Sequence, residues 1–129
     1  MDILFLIGRL IFGGYFIMNA WNHFKNLDGL TGYAQSKGVP SARSAVFVSG
    51  VFLLLGGLGV VFGVAPEASL ALLIIFLAPV TFKMHAFWKI TDPNAKMMER
   101  ISFMKNAALI GALLMMYAIS VPWAYNVLQ

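Results

Sequence analysis

The sequence predicts an all-α membrane protein, a single domain of four transmembrane helices with an interfacial helix or loop between the first two. The chain of 129 residues is 60% hydrophobic and 11% charged, against roughly 45–50% apolar and about 25% charged in an ordinary soluble domain. Its apolar residues gather into four runs, 3–24, 44–64, 69–88 and 101–121. Each is near the ~20 residues of helix that a ~30 Å hydrocarbon core requires. Together with their connections they use nearly all of residues 1–129, so no length remains within them for a water-soluble catalytic module.

The first run resembles a secretory signal only superficially. Asp2 alone precedes it, its apolar stretch exceeds the usual ~7–15 residues, and no small-residue cleavage site follows Phe24, so a retained helix is expected. The connection NLDGLTGYAQSKGVPSAR at 26–43 mixes Gly, Asp, Ser and Pro with Leu27, Leu30 and Tyr33, at spacings that suit a short interfacial helix over 30–37. Gly38 ends that helix, and Pro40 with Ser41 starts the second span. In the second span Ala42, Ser49, Gly56 and Gly63 recur every seven residues, and Gly59 with Gly63 forms a GxxxG pair. Small side chains in a stripe let helices approach closely in lipid, and packing within the chain is expected there in preference to a dimer. A tight turn around Pro66 leads to the third span, where Pro79 frees the carbonyl of Ile75. Asp92 and Pro93 signal a turn or helix start, then an amphipathic lead into the fourth span. Ala107, Gly111 and Ala118 give that span a similar small face, and the methionines fill gaps.

Charge sets the expected orientation. Lys25, Lys37 and Arg43 fall in or beside the first connection, and Lys83, Lys89, Lys96, Arg100 and Lys105 flank the third. Positive-inside reasoning puts these two longer loops in the cytoplasm and both termini outside, in an inner (plasma) membrane of bacterial type. The net charge of +4 is thus an orientation signal whose natural partner is the bilayer and its anionic headgroups, and no basic cluster suits nucleic acid. With no cysteine, the chain lacks the thiolates for an iron–sulfur cluster or thiol exchange. Any redox role must use a bound cofactor or a partner.

Ionisable groups within apolar runs are costly and mark function. His23 ends the first span, and His85 with Lys83 lies near the end of the third, so antiparallel neighbours bring them to one depth. Trp88, Glu99, Lys105 and Asn106 come from the same end, and together these residues form an expected polar layer near the cytoplasmic boundary, a candidate ligand or quinone site. Arg9 stands apart, about 21 Å from His23 at ~1.5 Å per residue. Two readings of Arg9 stay open, a snorkelling side chain or one with a buried partner. Tyr15 and Asn19 lie between the two levels. Two histidines with only Glu99 or Asp92 nearby make a poor metal set, and no metal is expected. No residue is assigned a catalytic role.

The segments GRLIFGGYF at 8–16, NAWNHF at 19–24, KGVP at 37–40 and SGVFLLLGGLGVVFG at 49–63 follow one another through the first two spans. With HAFW at 85–88, Asp92–Pro93 and FMKN at 103–106, they resemble the DoxX family in order and spacing over almost the whole chain. Ala42 departs from the pattern, where many relatives have a second proline, and this touches the local turn geometry. The resemblance implies a four-helix membrane subunit associated with quinol oxidase and thiosulfate:quinone oxidoreductase activity, some members belonging to oxidative-stress complexes.

Two functions from different classes follow. In one the chain is a redox-associated subunit: His23, His85, Lys105 and Asn106 supply hydrogen bonds and a proton route to a quinone, with Phe87 and Trp88 as an apolar wall. A less favoured variant makes His23 and His85 the axial ligands of a b-type haem. In the other the chain is a non-enzymatic subunit that docks other membrane protein subunits through its packing stripes and loops. Four short spans without an internal repeat make a transporter the weakest reading.

Overall fold

Leu, Phe, Ile and Met dominate the first apolar run, which folds as α1, Asp2–Lys25. Asp2 in its first turn and His23 and Lys25 in its last complement the helix dipole. The computed structural model describes residues 1–128. After a break at Asn26 come α2, Leu27–Ser36, then α3, Ala42–Phe62, and α4, Pro66–Met84. A 3-10 turn, Phe87–Lys89, leads to α5, Pro93–Tyr117. Gly38, at φ +76°, lies between α2 and α3, and Pro66 occupies the first helical position of α4, where its missing N–H costs nothing.

Three helical stretches are long and apolar enough to cross a membrane: α1, α3, and α4 continued through Lys89. The fourth span expected over 101–121 is not among them, and α5, the helix that holds most of it, has different bounds. Pro93 and the Asp92 carboxylate, which accepts from the Ala95 N–H at 2.9 Å, start α5 eight residues early. The helix stops at Tyr117 because residues 118–128 leave its axis and return to Arg9. It therefore carries Lys96, Glu99 and Arg100 and gives up the apolar residues 118–121. The expected third helix is also shorter, since the backbone leaves helical geometry at His85 and resumes only as the 3-10 turn.

The helices pack in series, α1 along α3, α3 on α4 and α4 on α5, with no comparable backbone approach of α5 to α1. Large side chains fill the space between those two, Phe12, Tyr15 and Phe16 from α1 sharing one core with Leu109, Leu113 and Met116 from α5. The most extensive seam is α1 on α3. A methyl group at Gly13 would lie 2.8 Å from the Gly57 carbonyl oxygen, and one at Gly57 would lie 3.0 Å from that of Gly13. The heptad read from α3 divides among three tasks. Ala42 packs under α2, Gly56 meets Leu73 of α4, and Gly63 caps the helix at φ +68°. The expected small face of α5 stays unfilled, with open space around Gly111. Ile7, Ile11, Met18, Leu55, Ile75, Phe82, Leu114 and Met115 are exposed, an outer surface suited to hydrocarbon.

Arg9 resolves to the buried reading, with 1% of its surface accessible. Its Nε donates to the Val60 carbonyl at 3.0 Å and its Nη2 to Val61 at 2.9 Å and Tyr125 at 3.3 Å, while Nη1 donates to Ala124. The Phe5 and Trp123 rings flank the guanidinium at 5.6 and 5.7 Å. The remaining terminal carbonyls of α3 are met by backbone, Gly59 by Val64 N–H and Phe62 by Val127 N–H. Each of the last four carbonyls of α3, which a helix end leaves orphaned, thus has a donor.

Replacing Arg9 with Met strands two buried carbonyls and is expected to lower stability by about 3 kcal/mol or more, at roughly 1–3 kcal/mol per orphaned group. Arg9→Lys should recover little, since one ammonium cannot span this fork of acceptors. Thermal unfolding in detergent checks both. In the same assay Gly13→Val should separate α1 from α3 and destabilise strongly, whereas Gly111→Ala should be neutral or gain up to about 1 kcal/mol of helix propensity.

Candidate functional site

At the end of the molecule away from Arg9, α1 reaches its last two turns, α4 carries Pro79 within it, and α5 passes on the far side. Between them lies a cavity of about 450 Å³. Phe16, Phe52, Leu53, Phe76 and Leu77 make its apolar walls, and Tyr15, Asn19, His23, Lys83, His85, Lys105 and Asn106 bring polar groups to it. Pro79 and Ile75 also line it. Ile75 loses the helical donor that Pro79 cannot supply.

The two histidines are tied down in the same way. His23 Nδ1 is 2.8 Å from the Asn19 carbonyl. A carbonyl only accepts, so Nδ1 carries the proton and Nε2 is left as the ring's second function. His85 Nδ1 lies 2.7 Å from Glu99 Oε2 and donates to it, leaving its Nε2 likewise. Asn19 is itself fixed, its amide donating to the Tyr15 carbonyl at 3.0 Å. Asn106 is 5% exposed, and its amide makes no protein hydrogen bond among the described residues. Its amide atoms keep some accessible surface and border the cavity.

Glu99 stands behind His85 and gathers three donors. Besides His85 it accepts from the Tyr33 hydroxyl at 2.5 Å and pairs with Lys37 at 3.3 Å. Partial burial pushes the carboxyl upward, but the hydrogen bonds from Tyr33, His85 and Lys37 and the Lys37 charge outweigh it and hold Glu99 below the usual carboxylate range. The same contact raises the Tyr33 phenol far above its ordinary value, through burial first and then through the Glu99 hydrogen bond and charge. Because Tyr33 and Lys37 belong to the α2 region, Glu99 to α5 and His85 to the end of α4, this cluster ties three elements across the cavity's mouth.

The structure thus brings His23, His85, Lys83, Lys105 and Asn106 to one cavity and sets Glu99 one contact behind. Trp88 is not a cavity wall, contrary to expectation. With Phe87 it packs against Phe103 at 5.7 and 5.4 Å, since the turn at Phe87–Lys89 points that pair along α5. Arg9 belongs to the opposite end. Sequence reasoning missed Tyr33 and Lys37 as partners of Glu99. The spacing of Leu27, Leu30 and Tyr33 had suggested only an interfacial helix, although a phenol hydroxyl on α2 and the ammonium of Lys37 just beyond its end were the available signal.

Apolar spans, an exposed apolar girdle and a polar-lipped cavity between helices define a small helical membrane protein. A family model described as DoxX matches residues 4–86, covering α1 to the end of α4, and the chain belongs to the DoxX family. Glu99, Lys105, Asn106 and the tail that meets Arg9 lie beyond the matched region. Comparison with curated proteins gives no match, and comparison with solved structures gives none.

The signs of the two shifts define a pH window. Tyr33 is raised above its ordinary 10.0, so its contribution is present below that value and is lost as pH rises through the folded one. Glu99 is lowered from 4.5, so its contribution is present above that value and is lost as pH falls through the folded one. The cluster should therefore hold throughout the range between. In an ultraviolet titration Tyr33 should ionise above the ordinary tyrosine range, and Tyr33→Phe should delete that phase.

Proposed function

We propose that the chain is a redox-associated membrane subunit that binds a quinone headgroup in this cavity, with the α2 end in the cytoplasm and the termini outside. The observation that carries the reading is the cavity itself. Its volume of about 450 Å³ lies within the roughly 300–1,000 Å³ of small-molecule sites, and mostly apolar walls with a few convergent polar groups are what such sites need. A quinone is a flat ring with two carbonyl acceptors, which suit the Asn106 amide and a protonated histidine Nε2. Phe52 and Phe76 offer faces for the ring, and the exposed apolar surface nearby suits an isoprenoid tail lying in lipid.

His85 has the better placement for proton exchange. Its Nδ1–H is held by Glu99, so its Nε2 is presented in a fixed orientation, a proton acceptor when neutral and a donor when charged. His23 is oriented by a neutral carbonyl instead, which favours a hydrogen-bonding role. Lys25, Lys37, Arg43, Lys89, Lys96 and Arg100 all belong to the α2 end, which supports the cytoplasmic assignment and an inner membrane.

Protein extracted gently with native lipid should carry quinone at about one per chain by mass spectrometry of the lipid extract. His85→Ala should weaken quinone binding by about tenfold, the worth of one hydrogen bond of ~1–1.5 kcal/mol, with Asn106→Leu similar. Absence of both co-purifying and titratable quinone overturns the reading. If such protein instead elutes with one stoichiometric membrane partner, the docking-subunit function replaces it.

A further inference from the structure

The residues lining the cavity include two lysines and two histidines but no aspartate or glutamate. A neutral ring gives such cationic groups no charge to answer. The nearest carboxylate, Glu99, is already engaged by Tyr33, Lys37 and His85. Lys37, which borders that cluster, has its charge answered there. Lys83 and Lys105 make no ion pair and no hydrogen bond to protein among the described residues. The Lys83 ammonium lies under the α2–α3 connection, 3.6 Å from where a Cβ on Gly38 would stand. The Lys105 ammonium lies 5.9 Å from the centroid of the Tyr15 ring. One lysine comes from α4 and the other from α5, so they approach the cavity from different walls.

Resting on the quinone reading, we propose that Lys83 and Lys105 form an anion-selective edge to the cavity, so that its preferred ligand is a quinoid ring bearing an ionised ring hydroxyl. Both lysines are exposed residues that also line the cavity, so their ammonium groups stand at its open edge, where charge-assisted hydrogen bonds are still roughly twice as strong as neutral ones. The Asn106 amide adds a neutral donor for the same oxygen or its neighbour. A neutral quinone occupies the same walls but leaves both ammonium groups unanswered. The selectivity thus lies in the lysines, and the ring recognition in the aromatic walls with His85 and Asn106.

The test compares a hydroxynaphthoquinone carrying an alkyl tail with its methyl ether, which has the same ring and tail and no ionisable group. Binding is measured to the full chain in nanodiscs of zwitterionic lipid at neutral pH. The hydroxy compound should bind about tenfold more tightly, at ~1.5 kcal/mol for a hydrogen bond to a charged group. Its hydroxyl, followed by the visible band of the anion, should ionise at lower pH when bound. The preference should fall toward unity in the Lys83→Gln, Lys105→Gln double variant and persist in the Lys83→Arg, Lys105→Arg variant. Equal binding of the two ligands, or a preference that survives removal of both lysines, overturns the anionic edge while leaving the quinone reading intact. Binding of neither overturns both. Should anionic phospholipid in the nanodisc erase the preference, the lysines serve lipid headgroups and the proposal fails.

Discussion

The structure depends on a guanidinium buried where a helix ends. The final carbonyls of α3 concentrate the negative end of its dipole, and in a membrane no water is at hand to satisfy them. Arg9 answers two of them directly and uses its remaining N–H groups on Ala124 and Tyr125. One side chain from α1 thereby fixes the end of α3 and the returning tail in a single contact set. The arginine is never matched to a carboxylate. Several carbonyl dipoles share its charge, and the Phe5 and Trp123 faces keep it dry at modest additional gain.

With that end fixed, the glycine seam follows. Once Arg9 is tied to Val60 and Val61, Gly13 and Gly57 come backbone to backbone, and the helices lie too close there to enclose anything. Toward the other end the side chains between α1, α3 and α4 grow larger, and α5 is held away from α1 by Phe12, Tyr15 and Phe16. The cavity is the geometric result of a tight seam at one end and bulky spacers along the rest. A second hollow at the Arg9 end, lined by Leu55, Leu58, Phe62, Leu72 and Val127, is almost wholly apolar, so the polar side chains that could do chemistry collect at the α2 end.

Much of this was legible in residues and some was not. Apolar runs gave the helices, Gly38 and Pro66 gave their punctuation, and the common depth of His23 and His85 followed from antiparallel order and helix rise. The role of Arg9 was undecidable from the chain because its partners are backbone carbonyls, which every residue carries and no sequence motif advertises. The early end of α5 was hidden for the same reason. Its continuation through residues 118–121 is largely apolar; Pro122 disfavours helix just before it, and the Arg9 contacts to Ala124 and Tyr125 hold the chain that turns back. Glycines misled in a third way. A seven-residue period identifies a stripe, but α3 has neighbours on several sides, so Gly56 and Gly57, adjacent in sequence, serve α4 and α1 respectively.

The Glu99 cluster has a different logic from the Arg9 cage. Its partners are side chains, all partly open to solvent. Its effect is orientation. By taking the Nδ1 proton of His85, Glu99 determines which ring nitrogen remains for the cavity, and by holding Tyr33 and Lys37 it keeps α2 against the end of α5. The same carboxylate that gives His85 its tautomer is thereby consumed, which leaves Lys83 and Lys105 without an acid to neutralise them. Positive charge at the cavity edge and a defined histidine nitrogen within it are two consequences of one residue's geometry.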